Sequence, residues 1–201
     1  PFFIAKTELT RGQWRRVMGE PESPFVEMRK MKSVSDRHPA VRMTWFEAVE
    51  CARRLGLVLP TEARWEFAAR AGSIERNCWG PRHADLEDVE NIGDAAFKAA
   101  DRAEPVAGLA KWNDGFAYLA PVASYDATPF GLYDVMGNVC EWTLDWYDAE
   151  YPDSAAHSDG LNLHAVGGAR TFRGGCYRSP PFLCRSATRS RLAPSESLVL
   201  L

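Results

Sequence analysis

Every clear helix signal in this 201-residue chain falls before Gly72, which limits what the remainder can build. Thr10 with Gln13, and Thr44 with Glu47, are capping boxes, in which each partner satisfies a backbone N–H that the first helical turn leaves free. Thr61 caps a third helix, and Glu62 complements its N-terminal dipole. Gly19, Gly56 and Gly72 stand where each helix can stop. The predicted buried stripes are Trp14, Val17 and Met18, then Ala48, Val49, Ala52 and Leu55, then Trp65, Ala68 and Ala69. From Cys78 onward only short apolar pieces occur between turn residues. Phe2–Ile4, Pro121–Tyr125, Phe172–Arg173 and Cys184–Ala187 are predicted as strands. The expected class is α+β, with two to three helices, few short strands and long ordered loops of the kind that carry function on small scaffolds.

Thirteen prolines, fifteen glycines and seven tryptophans fit a loop-rich fold pinned by large aromatics. The length suits one domain over residues 1–201. No apolar run is long enough to span a bilayer and no secretory signal opens the chain, which starts at Pro1 and reads as a fragment or a processed form. The compartment stays open. Five cysteines, an odd number without a Cys-x-x-Cys pair, argue against a zinc knuckle, a thioredoxin-like site or a disulfide framework. Buried free thiols are expected instead. The four histidines have no metal-ligand spacing. Phosphate-loop, Ser-His-Asp and His-Glu-x-x-His signatures are absent.

Charge is uneven. From His164 to Leu201 there are six arginines and one acid, Glu196, in a chain whose net charge is −3. A basic segment can meet nucleic acid. This one has no lysine, however, and Arg185 and Arg189 read equally well as structural ion-pair partners. Nucleic acid is not the expected partner.

The stretch Gly131-Leu-Tyr-Asp-Val-Met-Gly-Asn-Val-Cys-Glu-Trp142 has two readings. Asp134 and Glu141 are either solvated acids on a hairpin turning at Gly137-Asn138, or carboxylates that join backbone carbonyls around a hard cation.

A series of segments in one order then resembles a known family. They are Thr44-Trp-Phe-Glu-Ala48, Leu59-Pro-Thr-Glu-Ala-Arg-Trp-Glu-Phe-Ala-Ala-Arg70, Trp79-Gly80, Asn91-Ile92, Gly131–Trp142, Phe172-Arg-Gly-Gly175 and Arg185-Ser-Ala-Thr-Arg189. Together they resemble the formylglycine-generating-enzyme (sulfatase-modifying factor) family over nearly the whole chain, which implies an elaborated C-type-lectin-like fold. The resemblance also implies one or two structural calcium sites. The first falls on Asn91, Ile92, Asp114 and Phe116. The second falls on Asp134, Gly137, Val139 and Glu141, with Asp134 where the enzyme has asparagine. Ligation by oxygen alone suits calcium better than a transition metal.

The family's oxidase converts a substrate cysteine to formylglycine with copper held by two cysteines shortly after the Gly-Gly. Soft Cu(I) requires those thiolates. Here Ser179 holds the first catalytic position, the loop is shorter, and Cys176 and Cys184 fall off the catalytic positions. No copper is expected, and the enzymatic reading stands as the rival. A makeshift Cys176–Cys184 copper pair is the remaining route to it.

The C-terminal segment is similar to that of the variable proteins of diversity-generating retroelements: Gly174-Gly175, varied positions, Cys184 to Arg189, and further varied positions around Pro194. Adenine-directed diversification of Asn codons cannot produce Glu, Lys, Gln, Met or Trp. Residues 1–175 contain 32 of these five types, whereas the 26 residues from Cys176 contain one, Glu196. The resemblance implies a non-catalytic protein that binds a protein or other macromolecule through the segment 176–201. The candidate contacts are Cys176, Tyr177, Arg178, Ser179, Phe182, Leu183, Ser190, Arg191, Leu192, Ser195, Ser197, Leu198, Val199 and Leu200. Apolar groups interleaved with arginine on surface loops read as a binding face.

Overall fold

The computed structural model of the protein describes residues 1–19, 31, 33–101, 106–150, 161 and 168–197. Helices α1 (Arg11–Met18), α2 (Trp45–Arg54) and α3 (Glu62–Arg70) begin at the three threonine caps. Thr10 Oγ1 accepts from Gln13 N at 3.2 Å, and Gln13 Oε1 accepts from Thr10 N at 2.8 Å. Thr44 and Glu47 repeat the exchange at 3.2 and 2.7 Å. Each such cap contributes ~1 kcal/mol. α3 ends with Ala71 and Gly72 both at positive φ, which turns the chain off the helix axis.

The buried side of α2 runs through Ala48 and Cys51. Leu55, predicted to be buried, is exposed, because it is the C-cap and lies beyond the turn that faces the core. A short helix α4 (Ala95–Ala100) was not legible in the pattern, since its six residues bury only Phe97. Asp94 starts it by accepting from Ala96 N and Phe97 N.

Three antiparallel strands form one sheet in the order β1 (Glu141–Trp146), β2 (Arg170–Arg173), β3 (Arg189–Leu192). Phe172–Arg173 lies in β2 as predicted. The other three expected strands are not strands. Phe2–Ile4 joins no ladder among the described residues, and Ala123, at φ +57°, turns the chain within Pro121–Tyr125. Cys184–Ala187 sits among turn bonds, Leu183 N to Pro180 O at 2.9 Å and Thr188 N to Arg185 O at 3.0 Å. β1 escaped notice although Glu-Trp-Thr-Leu-Asp-Trp alternates polar and apolar residues as a half-buried strand does, whereas Arg-Ser-Arg-Leu of β3 lacks that alternation.

α3 packs on β1 and β2, and Trp65, Ala68 and Ala69 enter a core with Leu86, Ile92, Leu132, Val135, Met136 and Cys184. Trp142 meets Phe172 edge-on at 6.0 Å across β1 and β2. The Arg170 guanidinium lies between the rings of Trp45 and Trp146, 3.8 and 3.6 Å from their centroids, and so ties α2 to the sheet. The segment after β3 returns to the start of α2, where Trp45 N donates to Pro194 O at 3.2 Å and Thr44 bridges Ser197.

Candidate functional site

Gly131–Trp142 is not a hairpin. Gly131, Asp134 and Asn138 all take positive φ (+80°, +58° and +62°), winding the chain into a compact loop that feeds β1 at Glu141. Asn138 is the centre of that loop. Its Oδ1 accepts from Asn91 Nδ2 and Ala120 N, both at 2.9 Å. Its Nδ2 donates to Glu8 Oε2 at 2.8 Å and Ala120 O at 3.2 Å. All four side-chain capacities of a buried amide are used. Glu8 also accepts from Val139 N at 3.0 Å, so the N-terminal segment is held to the loop through one carboxylate.

Four acids gather here. Glu8, Glu90 and Asp134 are buried, and Glu141, partly buried, accepts from the Trp65 indole N–H. Burial pushes all four carboxyls up, Glu90 to about 8 and Glu141 to about 7, and the Asp134 charge adds to the rise at Glu8, Glu90 and Glu141. The acids are therefore not solvated, and the first reading of the stretch is corrected. Glu90 was missed in the sequence; an acid directly before the buried pair Asn91-Ile92 was the available signal.

A second oxygen-rich group adjoins the first. Asp114 accepts from Ile92 N and Phe116 N, each at 2.9 Å, and burial pushes its carboxyl up to about 7. Asn91 spends its amide on Tyr118 O and Asn138. That leaves Asn91 Oδ1 buried without a partner among the described residues, together with Asp134 Oδ1 and Glu90 Oε2. Buried oxygens in this condition are costly unless a proton, water or cation completes them. No three His, Cys, Asp or Glu side chains among the described residues converge enough to hold an ion by themselves. Both groups would therefore need backbone carbonyl or amide oxygens, which calcium accepts.

The C-terminal segment divides sharply by burial. Phe182 and Leu183 are 46% and 41% exposed, Arg191 and Ser195 are exposed, and Arg178, Ser190, Leu192 and Ser197 are half-buried. Cys176, Tyr177 and Ser179 are buried, which corrects the expectation that they offer contacts. Tyr177 packs edge-on against Phe97 and Tyr118 at 5.7 and 5.8 Å, and Ser179 Oγ accepts from Cys176 N at 3.1 Å. The turn after Gly175 brings these three inward before the chain re-emerges at Phe182. Leu198, Val199 and Leu200 lie outside the described residues.

Part of the arginine-rich segment is structural. Arg189 pairs with Glu62 through two N–H groups at 2.6 and 2.8 Å, and fully buried Arg173 pairs with Glu66 and lies 3.4 Å from Glu62. Arg185 Nε donates to Thr188 Oγ1 at 3.2 Å. Arg189 and Arg191 both stack on Tyr147, at 5.0 and 4.9 Å. The acids of α3 thus pair with two of the six arginines that singled out this segment.

The sequence matches the sulfatase-modifying factor enzyme 1-like domain over residues 1–198. The chain belongs to this family. It is 37% identical over 169 residues to the formylglycine-generating enzyme of Streptomyces coelicolor, covering 80% of this chain and 49% of that protein. It is also 36% identical over 159 residues to the serine/threonine-protein kinase pkn1 of Chlamydia caviae, covering 79% of this chain and 22% of the kinase. The chain thus spans about half the length of the first relative and less of the second. Two solved structures share the fold. Treponema denticola variable protein 1 matches with a TM-score of 0.70 and 20% identity over 94% of this chain and 78% of its own. PvdO from Pseudomonas aeruginosa matches with 0.69 and 22% over 96% and 74%.

Within the sulfatase-modifying-factor domain, the position expected for the first catalytic cysteine is Ser179. Gly93 packs closely against it: Gly93 N donates to Ser179 O at 2.9 Å, and a Cβ on Gly93 would lie 2.6 Å from Arg178 O. Cys176 and Cys184 do flank Ser179, but the thiol that hydrogen-bonds Cys176 belongs to Cys140.

Proposed function

We propose that this chain is a non-catalytic ligand-binding domain that displays a variable face, built from the exposed residues of segment 176–201, on a calcium-braced C-type-lectin-like scaffold. The observation that carries the reading is at Ser179. A buried hydroxyl, bonded to Cys176 in the preceding turn, stands where resemblance to the oxidase calls for a copper-binding thiolate, and a hydroxyl is a poor ligand for Cu(I). The exposed pair Phe182-Leu183 beside Arg178 supports the binding role, since apolar groups interleaved with arginine are typical of interface anchors. The scaffold beneath is ordered before binding, so little free energy goes to arranging it on contact. The partner class is a protein or other macromolecule.

For calcium, the supporting observations are the three unpartnered buried oxygens on Glu90, Asn91 and Asp134. Asn91, Ile92, Asp114 and Phe116 would hold one ion, and Asp134, Gly137, Val139 and Glu141 another. Each ion would brace loops and supply no redox chemistry.

Two measurements test the function. Nucleotide sequence around the coding region is expected to contain a near-copy of the 176–201 segment and a reverse transcriptase gene; absence of both would sink the variable-protein reading. A copper-loaded sample incubated with a cysteine peptide is expected to release no formylglycine product. Turnover that is lost on changing Cys176 or Cys184 would establish the oxidase instead.

A further inference from the structure

All five cysteines are free thiols, and Cys140 and Cys176 pack in one cluster. The pairing of Glu141 with Arg173 at the ends of β1 and β2 continues beyond both strands. Cys140 Sγ donates to Gly174 O at 3.9 Å, and Tyr177 N donates to Asn138 O at 3.0 Å. Cys140 and Cys176 therefore sit on facing segments, one diagonal step apart, where side chains on the same face can touch. Their thiols hydrogen-bond each other, and both pack in the cluster around Phe97, Tyr118 and Val139. Cys184 is differently engaged, with its thiol 3.6 Å from both Ser179 O and Pro180 O.

Access is uneven in a useful way. Cys176 is fully buried. Cys140 is half-buried and borders an apolar cavity of about 580 Å³, lined also by Met43, Leu59, Trp65 and Val139. A molecule of the size of hydrogen peroxide that enters this cavity meets Cys140 first and Cys176 behind it.

We propose that Cys140 and Cys176 form a dithiol that hydroperoxides convert to an intramolecular disulfide, fastening the loop beneath the 178–192 surface to the start of β1. The Cys140 sulfur attacks one peroxide oxygen, the O–O bond breaks, and water leaves as Cys140 becomes a sulfenic acid. Cys176 then attacks the Cys140 sulfur; the S–S bond forms, and the hydroxyl departs as a second water with the Cys176 proton. Two thiols lose two electrons and two protons, and the peroxide is reduced to two waters.

The two thiols, and Cys184, fall on separate tryptic peptides, which makes the test direct. The native chain is treated with hydrogen peroxide, its remaining thiols are alkylated, and an unreduced digest is examined by mass spectrometry. The expected product links Gly174–Arg178 to Trp112–Arg170, two hydrogens lighter than the separate peptides, with Cys51, Cys78 and Cys184 alkylated. Cys140→Ser and Cys176→Ser each abolish the link, and Cys184→Ser keeps it. Should either of the first two variants fail to fold, Cys184→Ser and wild type still decide the matter. A Cys176–Cys184 link, oxygen gained at Cys140 without a link, or five alkylated thiols overturns the proposal.

Discussion

Asn138 Nδ2 donates to Glu8 Oε2 at 2.8 Å across 130 residues of chain, and with Val139 N on the other carboxylate oxygen it joins the N-terminal segment to the loop that enters β1. The same amide bonds Asn91 and Ala120, and its backbone holds φ +62°, a conformation asparagine tolerates better than most residues. Replacing Asn138 by Ala strands several buried groups, and the expected loss is roughly 3 kcal/mol or more in denaturant unfolding. Asn138→Asp, which places a carboxylate against Glu8, is expected to cost at least as much. A loss within the noise of a surface substitution would show that the hub carries little of the stability.

Arg173 presents a case where removing one partner is worse than never having the pair. It is fully buried and pairs with Glu66, with Glu62 beside it. Glu66→Gln leaves a desolvated guanidinium under-neutralised and is expected to destabilise by about 3–5 kcal/mol. A double-mutant cycle with Arg173→Met is expected to show strong coupling; additive losses would mean that the two act independently.

Calcium is expected to raise the unfolding free energy by ~2.7 kcal/mol at a hundredfold excess over its dissociation constant, if it binds only the folded chain. Magnesium, which demands tighter octahedral geometry, is expected to do less. Asn91→Ala and Asp134→Ala should each weaken the effect, while Asp134→Asn keeps an oxygen and retains most of it. An unfolding midpoint indifferent to calcium in the wild type would rule out the braces.

His38 sets a pH dependence. It is buried, it accepts from Ser35 N at 3.0 Å through Nδ1, and burial holds its pKa below the ordinary 6.5. The unfolded chain therefore takes up a proton at a pH where the folded chain does not. Stability from this residue is fully present above 6.5 and is lost as pH falls through the lowered folded value. His38→Asn should flatten that part of the profile in thermal melts taken from neutral to mildly acidic pH.

Phe182 and Leu183 are expected to matter for contact and not for folding. Serine at either position should shift stability by no more than ~0.5 kcal/mol, as at other exposed sites. Tyr177→Ala, in the core beneath them, should cost about 3–5 kcal/mol. Equal losses at all three positions would place Phe182 and Leu183 in the core.

What could be read from the sequence was local. Threonine caps and terminal glycines announce a helix within a few residues, so α1, α2 and α3 were legible, as was the family from its ordered motifs. Burial in the loops was not. Tyr177 and Cys176 look like surface residues beside Arg178, and only the turn after Gly174-Gly175 reveals that they face Phe97 and Val139. The strand Arg189–Leu192 was hidden for a related reason: Arg189 spends its side chain on Glu62, a partner 127 residues away. Glu90 had one local sign, its place directly before Asn91-Ile92, but nothing in one dimension tells that three other acids lie near it in space.

The return of the chain to α2 has a consequence for how this domain can change over time. The 174–197 segment is anchored at its start by Gly174-Gly175, at its middle by Arg185 and Arg189, and at its end by Pro194 and Ser197 against Thr44 and Trp45. Between those anchors, the side chains of Phe182 and Leu183 are exposed and hold no part of the path. Letters can be exchanged there without rerouting the backbone. Inheritance can therefore vary that surface while the framework stays as it is.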